Sequence, residues 1–275
     1  MTDYVERTEV LRPEPAQALG ALLDLLVPDL EREGLPLLWH WIYLLDRPAQ
    51  TDLGADGHPL SSGIPAPPGP GRRRMWAGGR VRTQGLLRCG EPATRRSRVL
   101  SVAEKTGRSG PLTFVAVEHH VLQSGQVVVE ERQDIVYRPT TPGTSPAPED
   151  TPPAPVEPVA TDEWSIDVSP TLLFRFSALT YNAHRIHYDR DYARDVEGYP
   201  GLLTHGPLQA LAMAEAARAG GGGGDQSFEY RLTAPLFDHQ GMVVRAVRDQ
   251  DAISTAVRDI HGRRTAEGSL RSIDR

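Results

Sequence analysis

Apolar positions along the chain form two groups of segments, separated by a proline-dense stretch in which neither helical nor strand periodicity survives. In the first group, Leu19, Leu22, Leu23 and Leu26 share one face of a helix predicted over 16–26, with Pro15 suited to its first turn. Four β-rich runs follow at 75–84, 93–104, 112–122 and 126–137. Gln123-Ser124-Gly125, between the last two, is a hairpin signal. A Gly/Pro loop at 54–71 precedes these runs, and a structureless loop of that length needs a reason: it is an active-site lid or an insertion.

The second group opens with a short apolar run at 166–168 and a polar, histidine-rich stretch. A helix of unusual composition is then predicted over 207–219. Alanine fills positions 210, 212, 214, 216, 217 and 219, Leu208, Leu211 and Met213 add bulk, and Gln209, Glu215 and Arg218 are polar. A helix that is apolar nearly all round is buried nearly all round, and small side chains let a sheet approach closely. The five glycines at 220–224 stop it and are read as a flexible linker. Strand-like runs come next: Phe228, Tyr230 and Leu232 alternate, then 242–247, 252–259 and 265–271. One buried helix followed by four consecutive strands predicts a curved antiparallel sheet wrapped around a helix, an α+β rather than a parallel α/β fold.

The separating stretch, 139–158, holds 8 prolines in 20 residues. Proline lacks a ladder donor and restricts its predecessor, so this segment is neither helix nor central strand and reads as an extended linker. It divides the chain into 1–138 and 159–275, each long enough for a small domain.

Composition narrows the class. Hydrophobic residues make up 39% and charged residues 24%, enough for a buried core, which excludes a wholly disordered chain. The net charge of −6 creates no field favouring nucleic acid or an anionic membrane. Arg72-Arg73-Arg74 before Met75-Trp76 has the charge-plus-stacking pattern of single-strand binding, but one aromatic within an acidic chain does not sustain it. Cys89 is the only cysteine, which excludes an internal disulfide and a multi-cysteine zinc site. No apolar run reaches the roughly 18 residues of a membrane span, and the first ten residues lack the apolar core of a signal peptide. The expectation is a cytoplasmic globular protein with no nucleic-acid or membrane partner.

The densest polar cluster runs from Phe176 through Ser177, Thr180, Tyr181, Asn182, His184, Arg185 and His187 to Asp189. Leu202-Leu203-Thr204-His205-Gly206-Pro207 then leads into the Ala-rich helix. His184, His187 and His205 fall within 22 residues, and histidine titrates near neutrality, which suits proton transfer. The His-Gly-Pro turn sets the Gly206 N–H at the start of a buried helix. Unpaired donors and the positive dipole end point outward there, a place for a developing oxyanion. His184-x-x-His187 with His205 also has metal-like spacing, but no HExxH signature and no cysteine partner accompany it, so no metal is expected.

Residues 176–189, followed by the His205-Gly206 step, resemble the hydratase segment of MaoC-type (R)-specific enoyl-thioester hydratases, which have the hot-dog fold. The variant Tyr-Asn-x-His-Arg-Ile-His-Tyr-Asp at 181–189 is similar to the subgroup of 3-hydroxyacyl-thioester dehydratase type 2 and 3-methylfumaryl-CoA (mesaconyl-C4-CoA) hydratase. Asp56-Gly57-His58-Pro59, the run 74–79, the run 105–112 and the run 133–138 resemble its N-terminal half. The resemblance implies a double hot-dog protein with two long central helices, each wrapped by a curved sheet. In it, 1–138 shapes the acyl pocket and 159–275 is catalytic. It implies a homo-oligomer, a dimer, acting on an acyl-CoA or acyl carrier protein thioester with no cofactor.

Residue by residue, the resemblance puts His187 on the catalytic base and Gly206 N–H on the oxyanion donor. Asn182 stands where most of the family has a catalytic aspartate, and His184 where it has asparagine. A neutral amide holds water but does not exchange a proton as a carboxyl group does. Either His187 makes both proton transfers, or His184 or Asp189 contributes, or activity is reduced. Tyr181, Arg185, His205 and Pro207 are assigned to substrate binding. Arg185 is open between a solvated charge, a CoA-phosphate contact and a substrate-carboxylate contact, and Asp189 also suits a turn or helix cap. Two rivals stay open: a hot-dog thioesterase, for which the central helix offers only Glu215 as carboxylate, and a non-catalytic acyl-thioester-binding protein. Loss of the enoyl-thioester absorbance, release of free thiol, and binding without either distinguish the three.

Overall fold

A computed structural model describes residues 4–60, 72–107, 110–139 and 155–273. Among these residues ten strands form one antiparallel sheet. β1 (Val5–Val10), β2 (Arg72–Thr83), β3 (Pro92–Gly107), β4 (Gly110–Gln123) and β5 (Gln126–Pro139) precede the proline-dense stretch. β6 (Glu163–Ile166), β7 (Gln226–Leu232), β8 (Met242–Arg248), β9 (Ile253–Arg258) and β10 (Arg264–Ser272) follow it. The order across the sheet is β1-β3-β4-β5-β2-β7-β10-β9-β8-β6. Within the sheet the two groups therefore meet at one seam, β2 against β7, in register from Gly78 opposite Arg231 to Thr83 opposite Gln226.

Among the described residues three α-helices complete the fold: α1 (Pro13–Leu22), α2 (Pro170–Leu179) and α3 (Gly206–Ala219). The Ala-rich sequence of α3 does what its composition predicts. Leu208, Ala210, Leu211, Ala212, Met213 and Ala217 are all inaccessible to solvent, and the helix lies against β8, β9 and β10. Small side chains bring sheet and helix together, and the apolar area they remove from water is the main favourable term. Its one buried acid, Glu215, accepts a 2.7 Å hydrogen bond from Trp39 Nε1 and pairs with Arg218, so a residue of the first group pins the central helix of the second. The helix of the first half, α1, has ten residues against fourteen in α3 and packs on α2.

The four strands expected before residue 139 and the four expected after residue 225 are all present, with ends moved by a few residues. Ser124 and Gly125 both have positive φ, 51° and 78°, which matches the mirror-image two-residue turn that suits twisted hairpins. Three local expectations change. α1 ends at Leu22 rather than Leu26, because Asp24 takes φ 54° and turns the chain away, leaving Leu26 exposed. The glycines at 220–224 are a tight turn and not a flexible linker: Gly222 N–H bonds to the Ala217 carbonyl at 3.0 Å, and a Cβ on Gly222 would lie 2.7 Å from Leu270 Cδ2. The polar stretch after 168 begins with α2, started by Ser169, whose hydroxyl accepts from Leu172 N–H at 3.2 Å, and by Pro170 in the first turn. The expected linker 139–158 and the loop 54–71 lie largely outside the described residues, which include 54–60, Pro139 at the end of β5, and 155–158. Among the described residues no helix is long and apolar enough to cross a membrane.

Candidate active site

Residues 180–189 leave the end of α2 and fold back on the start of α3. Tyr181 takes φ 52°, Asn182 N–H bonds to the Ser177 carbonyl at 2.8 Å, and Asn182 Oδ1 accepts from His184 N–H at 3.0 Å. A short side chain that bonds two residues ahead makes this Asx turn, and it directs the His184 and His187 rings inward. The segment 185–187 is one turn of 3₁₀ helix with His187 buried. Asp189 then caps the next turn: its carboxylate accepts from Tyr192 N–H at 3.0 Å and pairs with Arg185 at 2.7 Å.

His187 has a defined tautomer. Its Nδ1 lies 2.7 Å from the Leu203 carbonyl oxygen, which only accepts, so Nδ1 carries the proton and Nε2 keeps a free lone pair. Burial pushes its pKa down to about 4, against the opposing pull of the Leu203 carbonyl, so the ring is neutral near pH 7. His205 stacks on it with ring centroids 3.7 Å apart and is tied by Nε2 to Ser177 Oγ at 2.8 Å. Burial also holds His205 well below the ordinary range. His184 sits 5.4 Å from His187, ring to ring, and burial, followed by the charges of His58 and His187, drives its pKa to about 2. Gly206 is the first residue of α3, so its N–H has no partner within the helix and lies at the positive end of the helix dipole.

A cavity of about 1630 Å³ opens over these groups, with walls from both halves of the chain. Asn182, His184, His187, Gly206, Pro207 and Tyr181 all line it. Arg185 and His205 do not, and their contacts say why. The Arg185 guanidinium is held by Asp189 and by the Ala55 carbonyl at 3.1 Å and lies 4.0 Å over the Tyr192 ring, whereas His205 stands behind His187. Both of the substrate-binding assignments made for them become supporting ones, because these side chains are already committed.

Asp56 and His58 are functional candidates that the sequence reading left out of the site. The turn 54–57 is closed by a Gly57-to-Gly54 hydrogen bond of 2.9 Å and docks on the histidine segment through Arg185 N–H to the Asp56 carbonyl, also 2.9 Å. Gly57 has φ +88°, and a Cβ there would lie 1.8 Å from the Ala183 carbonyl oxygen, so no other residue permits this approach. The His58 and His184 ring centroids are 3.9 Å apart. Burial raises the Asp56 carboxyl, but hydrogen bonds from the side chain and backbone of His58 outweigh it and hold its pKa at about 2. The ligand-capable atoms of Asp56, His58 and His184 lie within 4.8 Å of one another, close enough to admit a cation. Asp56 Oδ2 and His58 Nδ1 are, however, already bonded to each other at 3.1 Å. The signal was available in the sequence, since Asp56-Gly57-His58 is a turn with a histidine inside a loop that needed a reason.

Comparisons with known proteins identify the family. The family model of hydroxyacyl-thioester dehydratase type 2 matches residues 38–238. The mesaconyl-C(4)-CoA hydratase of Chloroflexus aurantiacus is 46% identical over 241 residues, covering 86% of this chain and 84% of that protein. Among solved structures, a MaoC-like dehydratase from Phytophthora capsici superposes with a TM-score of 0.70 at 14% identity, over 100% of this chain and 97% of that one. A Mycobacterium tuberculosis protein described as having a double hot-dog fold gives 0.52 at 14% identity, over 98% and 94%. The expected double hot-dog fold and hydro-lyase activity are thus borne out, and the chain belongs to the hydroxyacyl-thioester dehydratase type 2 family.

Proposed function

We propose that this chain adds water across the conjugated double bond of a short, branched dicarboxyl enoyl-CoA such as 3-methylfumaryl-CoA, and catalyses the reverse dehydration. His187 Nε2 takes a proton from water as the oxygen attacks C3. The electron pair moves through C2 onto the thioester oxygen, where Gly206 N–H stabilises the enolate, and C2 is then protonated. Acid–base hydration of this kind requires no cofactor. In this reading residues 1–138 shape the acyl pocket, 139–158 connect the halves, and 159–275 carry the base and the oxyanion donor.

The observation that carries the choice of substrate is Arg74. It is half-buried on the cavity wall, close enough to His184 to help keep that ring uncharged, and among the described residues no carboxylate pairs with it. A cation held in a partly dehydrated wall attracts an anionic group of the ligand. In 3-methylfumaryl-CoA the distal carboxylate is attached to C3, the atom that water attacks, so its partner must stand beside the histidines. Two other arginines stand on the wall: Arg95 already pairs with Asp46, and Arg138, though also half-buried, is not among the groups acting on His184.

The thioesterase reading lacks its carboxylate, because Glu215 is buried and bound by Trp39 and Arg218. An absorbance screen of crotonyl-, mesaconyl-, itaconyl- and longer enoyl-CoAs tests the proposal. Fastest loss of absorbance with 3-methylfumaryl-CoA, and an Arg74→Gln variant that loses about 10² in kcat/KM on it but little on crotonyl-CoA, is the expected result. Thiol release without hydration, or equal losses on both substrates, overturns it.

A further inference from the structure

We propose that His58, oriented by Asp56, is a second catalytic residue of the site, delivering the proton to C2 while His187 takes one from water. The inference rests on the hydratase reading and supplies the group that reading lacks.

Asn182 stands where a carboxyl group would exchange a proton, and its Oδ1 is already used in the turn at His184. Other carboxylates are occupied: Asp189 caps a turn and pairs with Arg185, Glu215 is tied to Trp39 and Arg218, and Glu131, on the cavity wall, is bonded to His40, Trp41 and Gln133. The charged and titratable groups that act on His184 and His187 are each other, His58, Asp56, Arg74 and His205, the last stacked behind His187. Of these, only His58 has both a carboxylate behind it and the cavity in front.

The docking is specific. Three contacts bring the turn against residues 183–185: the hydrogen bond from Arg185 N–H to the Asp56 carbonyl, the Arg185 side-chain hydrogen bond to the Ala55 carbonyl, and the glycine-only approach of Gly57 to Ala183. Asp56 Oδ2 then accepts from His58 Nδ1–H at 3.1 Å, and Oδ1 accepts from His58 N–H at 3.0 Å, fixing the ring. With Nδ1 bonded to the carboxylate, Nε2 is the ring nitrogen left for proton transfer. His184 lies between the two working rings, 3.9 Å from His58 and 5.4 Å from His187 between centroids.

The step balances. At the start His58 is imidazolium and His187 is neutral. Water loses a proton to His187 Nε2 and its oxygen bonds to C3, the C2=C3 π pair becomes the enolate, and C2 takes the proton from His58 Nε2. His58 ends neutral and His187 protonated, and one proton passed back from His187 to His58 resets the site. The net change is the addition of one water.

Full-length wild type, His58→Gln, His58→Ala and Asp56→Asn would be compared on the best enoyl-CoA, with succinyl-CoA as a non-hydratable ligand to report binding. Expected are a loss of about 10² in kcat for His58→Gln with KM and succinyl-CoA affinity nearly unchanged, and about tenfold for Asp56→Asn. His58→Ala should be rescued by added imidazole, at rates that follow the pKa of a series of substituted imidazoles. A purely structural role would not produce that dependence. Hydration by wild type together with a His58→Gln kcat within about threefold of it overturns the assignment of His58 alone. The assignment also falls if the loss appears only in KM, if rescue is indifferent to imidazole pKa, or if activity is lost to chelator and restored by zinc. A wild type inert on every enoyl-CoA overturns the hydratase reading and this proposal with it.

Discussion

Replacing His187 by glutamine removes the proposed base while keeping most of what holds it in place. The amide still donates to the Leu203 carbonyl, which His187 Nδ1–H meets at 2.7 Å, and a planar group still faces the His205 ring. What disappears is the lone pair on Nε2. General-base contributions span roughly 10² to 10⁴ in rate, about 2.7 to 5.5 kcal/mol. The structure places this case toward the lower end: burial lowers the His187 pKa to about 4, so the ring is always in the basic form near pH 7 but is a weaker base than an ordinary imidazole. The expected loss in kcat/KM is therefore about 10², measured by the fall in enoyl-thioester absorbance after circular dichroism shows the variant folded. The acid limb of the wild-type profile is a second readout. A base works when unprotonated, so activity is retained above its folded pKa and lost below it. kcat/KM should hold to about pH 5 and decline toward pH 4. An acid limb centred near 6.5, the unperturbed value, or a glutamine variant within about threefold of wild type, would refute the argument from burial or from the lone pair respectively.

Three other outcomes are expected. Asn182→Asp keeps an oxygen to accept from His184 N–H and should retain kcat/KM within about threefold, whereas Asn182→Ala loses that bond and should cost about tenfold, or ~1.4 kcal/mol. Gly57→Ala combines a positive φ, worth about 1–2 kcal/mol, with a Cβ 1.8 Å from a backbone oxygen. The turn should undock, so kcat/KM falls by at least about tenfold while the melting temperature, measured by calorimetry, moves little. Stability should fall with acid: His187 has a folded pKa of about 4 against about 6.5 unfolded, so the unfolded chain binds more protons between those values. Its contribution is full above pH 6.5, about 2 kcal/mol is gone by pH 5, and urea midpoints equal at pH 7 and pH 5 would contradict this.

What the sequence made legible follows from which residues advertise their surroundings. α3 could be placed to within one residue because a run of alanines with Leu208, Leu211 and Met213 has no polar face to present to water. The long strands β2 to β5 and β7 to β10 alternate and end in turn residues, so their existence was readable although their ends were not. β1 was missed because it is an edge strand paired on one side, and its sequence, VERTEV, offers little apolar surface from which to read a face. α2 was missed for a different reason. Leu172, Leu173 and Phe176 have helical spacing and Ser169-Pro170 is a start signal, but the cluster of polar side chains at its far end drew attention to chemistry and away from periodicity.

The same division separates the two halves of the candidate site. Asn182, His184, His187 and Gly206 lie within 25 residues of one another, and a local motif is enough to list them. Asp56 and His58 are more than a hundred residues away in the chain. What brings them to the histidines is a turn closed by Gly54 and Gly57 and anchored on the backbone at 183–185. No periodicity encodes such an approach, because it depends on the absence of a Cβ at one position and on hydrogen bonds between main-chain atoms that every residue possesses. The fused pair of halves acquires a physical rationale from this. If the C-terminal half held the whole acid–base set, the first half would need only to line a pocket. With a neutral amide at 182 and both neighbouring carboxylates committed elsewhere, the nearest carboxylate-backed imidazole belongs to the other half, and the seam between β2 and β7 fixes the distance at which the two are presented.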